Sequence, residues 1–225
     1  MNGTPHLDLV ILLPGKDEQQ GIEGLIQSRR TSLGIRPIRV ETKVHAHRDP
    51  GCFNEAPETL RPYLREARKA LVVFDHEGSG QERNPVPDVE SDLRGRLSKN
   101  GWADRAEVVV LTPEYESWAW SDSTAVDEVL GWEGRAPDLR AWLIEKGFLA
   151  QRTAKPARPK EALEAALLEV QIRRSPSIYR QLAEKVSLDR CADSGFARFL
   201  AVLRRWFGPP APPAPSPPGG DKSSA

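Results

Sequence analysis

The chain has 225 residues, enough for one domain-sized core, and its 32 lysines and arginines balance its 32 aspartates and glutamates, so no net field advertises a nucleic-acid or membrane partner. Two cysteines, Cys52 and Cys191, without any Cys/His spacing of the zinc-binding kind, argue against structural zinc. The first residues lack a basic segment followed by an apolar run, and no apolar stretch approaches the roughly 20 residues needed to span a bilayer; a cytoplasmic protein with reduced cysteines and no membrane partner is expected.

Leu7 to Leu13 reads as a strand buried on both faces and ended by Pro14-Gly15. Ile22, Leu25 and Ile26 share one side of a helix over Gln19 to Arg30. Pro37 to Val44 alternates apolar and polar residues, the pattern of a half-buried second strand, and His45 to Asp49 follows it as a loop. Glu55 to Lys69 reads as helical and Ala70 to Asp75 as a continuous apolar third strand. Val89, Leu93 and Leu97 mark a helix from Asp88 to Asn100, stopped at Asn100-Gly101, and Glu107 to Leu111 is a fourth strand closed by Thr112-Pro113. Beyond it the helical segments are Val126 to Trp132, Leu139 to Phe148, Lys160 to Ile172, Ser177 to Val186 and Ser194 to Phe207, with Trp206-Phe207 as a docking anchor. From Gly208 the chain is proline-rich, low-complexity and unsuited to packing.

Strands alternating with helices of this length predict right-handed βαβ crossovers: an α/β fold with a mainly parallel sheet sandwiched by helices. The expected organisation is an α/β domain over 1–150, a small α-helical C-terminal subdomain over 151–207, and a disordered proline-rich tail over 208–225.

In such sheets ligands gather at the carboxyl ends of the strands. Four polar clusters fall there: Pro14 to Glu18, His45 to Asp49, Asp75 to Gly80, and Pro113 to Glu116. Asp75 and Glu77 would project to one side of an extended strand, and two such carboxylates repel unless a cation or proton lies between them. Mg²⁺ suits that chemistry, since it takes oxygen ligands and commonly uses one or two carboxylates. Gly78 and Gly80 fit a sharp exit from the strand. Glu116 is placed to complete a metal site, His47 to act as a base and Arg48 to contact phosphate. Asp17 and Glu18 serve either a catalytic role or the helix N-terminus. Pro14-Gly15-Lys16-Asp17-Glu18 matches neither phosphate-binding glycine motif, no nucleophile elbow surrounds Ser117 or Ser121, and no base pairs with Cys52. Trp118 and Trp120 read as core between the sheet and the C-terminal helices.

The order of a strand, Gly15-Lys16-Asp17-Glu18, a helix, a third strand ending in Asp75-His76-Glu77-Gly78, and a fourth ending in Pro113-Glu114-Tyr115-Glu116-Ser117-Trp118 resembles the Toprim-like proteins of bacterial phage defence, related to the OLD and RloB nuclease-like groups. The resemblance spans about residues 7 to 132, and Ser175 to Tyr179 with Cys191 to Asp193 look like part of a subgroup that includes components of methylation-associated defence systems. It implies a Mg²⁺-dependent nuclease or other phosphoester-processing enzyme, with nucleic acid and other defence proteins as partners. Asp75 and Glu77 match the family's acidic pair, Glu77 reaching one methylene further than the usual aspartate. The family's first-strand glutamate falls on Pro14, which can neither ligate metal nor move a proton; Glu18 is the nearest substitute. The metal set implied is Asp75, Glu77 and Glu116, and the catalytic set Glu18, His47, Asp75 and Glu77. The alternative is a non-catalytic scaffold or sensor subunit that kept the fold without the chemistry.

Overall fold

The structure, a computed structural model, describes residues 5–120, 123–187 and 193–209. Most of the proline-rich tail, together with Ser121 and Cys191, lies outside the described residues.

Four strands, β1 (Leu7–Leu13), β2 (Val40–Val44), β3 (Ala67–Asp75) and β4 (Ala106–Leu111), form one all-parallel sheet in the order β2-β1-β3-β4. Every residue of β1 is buried, as a central strand covered on both sides requires. Period two then divides its side chains: Leu9, Ile11 and Leu13 enter one hydrophobic cluster, Val10 and Leu12 the other.

Helices α1 (Lys16–Ser28) and α2 (Arg30–Leu33) connect β1 to β2; α3 (Arg48–Asn54) and α4 (Ala56–Leu60) connect β2 to β3; α5 (Val86–Leu97) connects β3 to β4. The direction of travel across the sheet reverses after β2, and right-handed crossovers must then change face. They do: Ile22, Leu25 and Ile26 of α1 lie in the first cluster, while Phe53 of α3, Leu60 of α4 and Leu93 of α5 lie in the second.

The chain continues through α6 (Thr124–Val129), α7 (Leu139–Glu145), α8 (Pro159–Glu169), α9 (Pro176–Lys185) and α10 (Ser194–Phe207). These helices share the first cluster with β1 and α1: Leu163, Tyr179 and Phe199 pack in the same apolar body as Leu9 and Ile22. The expected boundary at residue 150 coincides with no break in that cluster. Trp120 is buried and donates to the Pro159 carbonyl (2.9 Å), and Trp118 packs on Phe196 and Phe199 with centroids 5.1 and 5.3 Å away, so both sit between the sheet and the C-terminal helices.

Edge strand β4 has its open side closed by side chains. The buried Glu90 accepts from the Val110 N–H (2.9 Å), and Arg198 donates to the Val110 carbonyl (2.5 Å) and pairs with Glu90 (3.1 Å). Backbone groups that would otherwise recruit a foreign strand are thereby occupied.

Several elements differ from the sequence expectation, among them β2, which begins at Val40 rather than at Pro37. Residues 67–69, expected at the end of a helix, begin β3, because Leu7 and Leu9 offer ladder partners to Ala67 and Lys69. The expected helix of 55–69 is instead α4 and a single 3₁₀ turn over Arg61–Leu64, each opening on a proline, Pro57 and Pro62. Residues 45–49, expected as loop, lead directly into α3, entered through Arg48 with a left-handed φ of 49°.

Candidate functional site

In the order β2-β1-β3-β4 the chain leaves β1 toward one side and later returns to its other side at β3. The crevice of such a sheet therefore opens at the carboxyl ends of β1 and β3. That is where the acidic groups meet.

Asp75, the last residue of β3, is buried. Its backbone N–H donates to Asp49 Oδ1 (2.8 Å), and its own Oδ1 accepts from the Tyr115 N–H (2.8 Å), which locks three strand ends together. Glu116, only 1 % exposed, accepts from the Tyr179 hydroxyl (2.8 Å) and from Arg174 (3.3 Å) on Oε1; Oε2 is buried without a partner. Glu114 accepts from the Lys160 N–H (2.7 Å) in the first turn of α8. Asp75, Glu114 and Glu116 each present a carboxylate oxygen, all within 4.8 Å of one another, and this group could hold a metal ion.

The electrostatics match. Burial first, then Asp49, Glu18, Glu116 and Glu114, push the Asp75 carboxyl well above its ordinary value. Burial and neighbouring Glu116, Asp49 and Asp17 push Glu18 up to about 7. Asp49 and Glu114 are also raised, chiefly by burial. Carboxyls shifted upward together hold their protons more readily than solvated ones, and a cation beside them would relieve the repulsion between them.

The surrounding space is a cleft in two lobes. One runs past Gly15, Glu18, Asp49 and Asp75 to Arg174; the other runs from Asp75 past Glu77 and Glu114 to Arg158. Asp49, Asp75 and Lys160 border both. An acidic floor with a basic rim suits an anion held beside a cation.

The local sequence explains much of this geometry. A Cβ at Gly15 would lie 2.5 Å from Glu18 Oε2 and displace that carboxylate from its present position, while at Gly21 the buried Tyr115 hydroxyl occupies the space a Cβ would fill, at 1.9 Å.

Of the residues singled out by sequence, Asp17, Glu18, Arg48 and Asp75 line the cleft, and Asp75 and Glu116 stand in the buried carboxylate group. Glu77 does not join them. The chain beyond Asp75 is held against the β4 loop by the His76 and Glu77 amides, which donate to the Leu111 and Pro113 carbonyls (2.8 and 3.2 Å), and leaves Glu77 exposed at the rim of the second lobe. Glu114 takes its place in the group. His47 is exposed, precedes α3, and meets Glu55 at 2.9 Å outside the two lobes.

His45, His47 and Glu55 form a second group with ligand-like spacing. It is the poorer metal site: His45 Nδ1 accepts from the His47 backbone N–H (3.0 Å), so the neutral ring carries its proton on Nε2, the nitrogen facing Glu55. Cys52 is buried and its thiol pushed up by burial, which leaves it unreactive.

Lys160, Arg174 and Tyr179 belong to the site without having been selected from sequence, and Asp49 and Glu114, which lie within two of the expected polar clusters, had been given no role of their own. Arg174 pairs with Asp17 across 157 residues, and nothing in its Arg173-Arg174 surroundings marks it from other basic pairs.

The fold and site thus define an α/β protein with a four-stranded parallel sheet, flanked by helices, that carries a buried acidic crevice at its switch point. Among the described residues no helix is long and apolar enough to cross a membrane. Comparison of the chain with protein-family models, with curated proteins and with solved structures gives no match.

Proposed function

We propose that the crevice is the centre of a Mg²⁺-dependent, phosphoester-processing enzyme, a nuclease of the Toprim-like kind found in bacterial phage defence. The observation that carries the reading is the convergence of Asp75, Glu114 and Glu116 with Glu116 Oε2 buried and unpartnered. A buried carboxylate oxygen without a partner is costly unless a cation is meant to meet it.

The donor set is all oxygen, which fits a hard divalent ion. Asp75, Glu114 and Glu116 would hold it, and when bound it supplies polarisation of a phosphoryl oxygen and an oriented water. Glu18, held up to about 7, is balanced near neutral pH between keeping and giving a proton, as an acid/base group for a leaving or attacking oxygen must be. Lys160 and Arg158, on the rim, meet the anionic charge of the substrate. The direct test is hydrolysis of single-stranded DNA, double-stranded DNA and RNA with Mg²⁺ or Mn²⁺, with Asp75→Asn beside the wild type. Metal-dependent cleavage lost in D75N is expected; cleavage indifferent to that substitution sinks the assignment.

One observation favours the binding-only alternative. Pro14, buried at the end of β1, stands where the Toprim-like pattern has its glutamate, and Glu18 must serve from within α1 instead. Metal binding at millimolar concentration with no turnover on any of these substrates is the outcome that selects a scaffold or sensor subunit of a defence complex.

A further inference from the structure

One cation already stands inside the acidic crevice. Arg174 lies in the connection between α8 and α9, three residues beyond Gln171, whose backbone has a left-handed φ of 58°. Its Nη2 reaches Asp17 Oδ2 of α1 at 2.6 Å and Glu116 Oε1 at 3.3 Å, while Nη1 pairs with Glu164 of α8. The guanidinium carbon lies 5.5 Å from the Tyr179 ring centroid, over its face. A solvated arginine would not bridge three separate elements in this way.

The bonding around it is incomplete on both sides. Arg174 Nε is buried without a partner, and so is Glu116 Oε2. Arg174 is therefore held at its two terminal nitrogens only, and Glu116 spends one oxygen on Arg174 and Tyr179 while the other stays free. Such an arrangement neutralises Glu116 without saturating it. It differs from a closed structural ion pair, in which the planar fork and carboxylate satisfy each other on both sides.

We infer that Arg174 is the resident counter-cation of this crevice and that a divalent ion displaces it from Glu116. The inference rests on the reading of Asp75, Glu114 and Glu116 as the metal group. Glu116 is shared between them: a metal taken up on the free Oε2 draws charge from the carboxylate whose Oε1 holds the guanidinium, and the two cations repel, so they compete. Asp17 and Glu164 lie outside the metal group and keep Arg174 tethered beside the cleft after it lets go. Arg174 is a positioning residue in this scheme: it pairs with Glu116 and Asp17 and keeps the carboxylates together until metal arrives.

The test is calorimetric titration of the full-length protein with Mn²⁺, comparing wild type, Arg174→Gln, Arg174→Lys, Glu164→Gln and Asp75→Asn. R174Q removes the competitor and is expected to bind Mn²⁺ about tenfold more tightly, the scale of one charge-assisted pair in a partly buried site. R174K keeps the charge but loses the fork that spans three carboxylates, and is expected to fall between wild type and R174Q. A purely structural role predicts the opposite, a loosened site with weaker binding in R174Q. Affinity unchanged or reduced in R174Q, while wild type binds and D75N does not, overturns the inference and leaves the metal reading standing. Absence of Mn²⁺ binding in every protein overturns both. Should R174Q fail to fold, E164Q, which removes the half-exposed tether of the displaced guanidinium, is expected to bind Mn²⁺ about two- to threefold more weakly. Unchanged affinity in E164Q then overturns the competition.

Discussion

Glu18→Gln isolates the electrostatic cost of assembling the crevice. Glu18 sits in the first turn of α1 with one carboxylate oxygen packed over Gly15, and its carboxyl is raised from 4.5 to about 7 by burial first and then by Glu116, Asp49 and Asp17. The folded state therefore holds this proton more tightly than the unfolded state. Wild-type stability from this group is complete below pH 4.5, declines as pH rises from there to about 7, and is level above it. A shift of about 2.5 units sets a ceiling of about 3 kcal/mol, and partial solvent access in a crowded carboxylate cluster reduces the expected gain to about 1–2 kcal/mol. Glutamine matches the shape of the protonated acid and carries no charge. At pH 8 without metal, E18Q is expected to melt about 2–8 °C above wild type, given about 2–4 °C per kcal/mol for a chain of this size. At pH 4 the two should melt together. Thermal unfolding by circular dichroism in EDTA across pH 4 to 9 reads the difference directly. Equal melting at pH 8, or the same gain at pH 4 as at pH 8, refutes the account of a carboxyl destabilised by its neighbours.

Two further substitutions test the supports of the site. Gly21→Ala puts a methyl group 1.9 Å from the Tyr115 hydroxyl oxygen and should cost about 1–3 kcal/mol in urea unfolding, with weaker Mn²⁺ binding because the Tyr115 amide holds Asp75. Adding Tyr115→Phe, which removes that oxygen, should recover part of the stability, and no recovery would count against the clash. Glu90→Ala leaves the Val110 N–H and Arg198 without their buried acceptor and should cost about 2–3 kcal/mol by the same measurement. A loss below about 0.5 kcal/mol would mean that the edge of β4 does not depend on that pair.

The strands and most helices were legible because they are local statements. Leu7–Leu13 is an unbroken apolar run and folds with the boundaries read from it, as does Ser194–Phe207, whose apolar residues recur at helical spacing. The helix expected through Lys69 failed for a non-local reason: Ala67 and Lys69 are drawn into the sheet by Leu7 and Leu9, which lie about 60 residues earlier in the chain.

The site divides the same way. Asp75 at a strand end, Glu18 after the first strand and Glu116 after the fourth could each be found by position, because a parallel sheet delivers its strand ends to one edge. The choice of Glu114 over Glu77 as their companion could not. It depends on how the turn after Asp75 is held by the Leu111 and Pro113 carbonyls, and on the N-terminus of α8 arriving to fix Glu114. Alternation along one strand predicts which side a residue faces, but the strand ends at Asp75 and the prediction ends with it.

The sequence by itself therefore determined an α/β chain with three buried strands and one half-buried, an acidic edge and too little unbroken apolar length for a membrane-crossing helix, all of which follow from periodicity, burial and charge within short windows. Only the tertiary structure decided which carboxylates touch, that the helices beyond residue 150 complete the sheet's own core, and that Arg174, separated from Asp17 by 157 residues, supplies the cation among them. Those are meetings between distant segments. Packing of the whole chain selects them, because a buried carboxylate must find its counter-charge wherever the fold brings one.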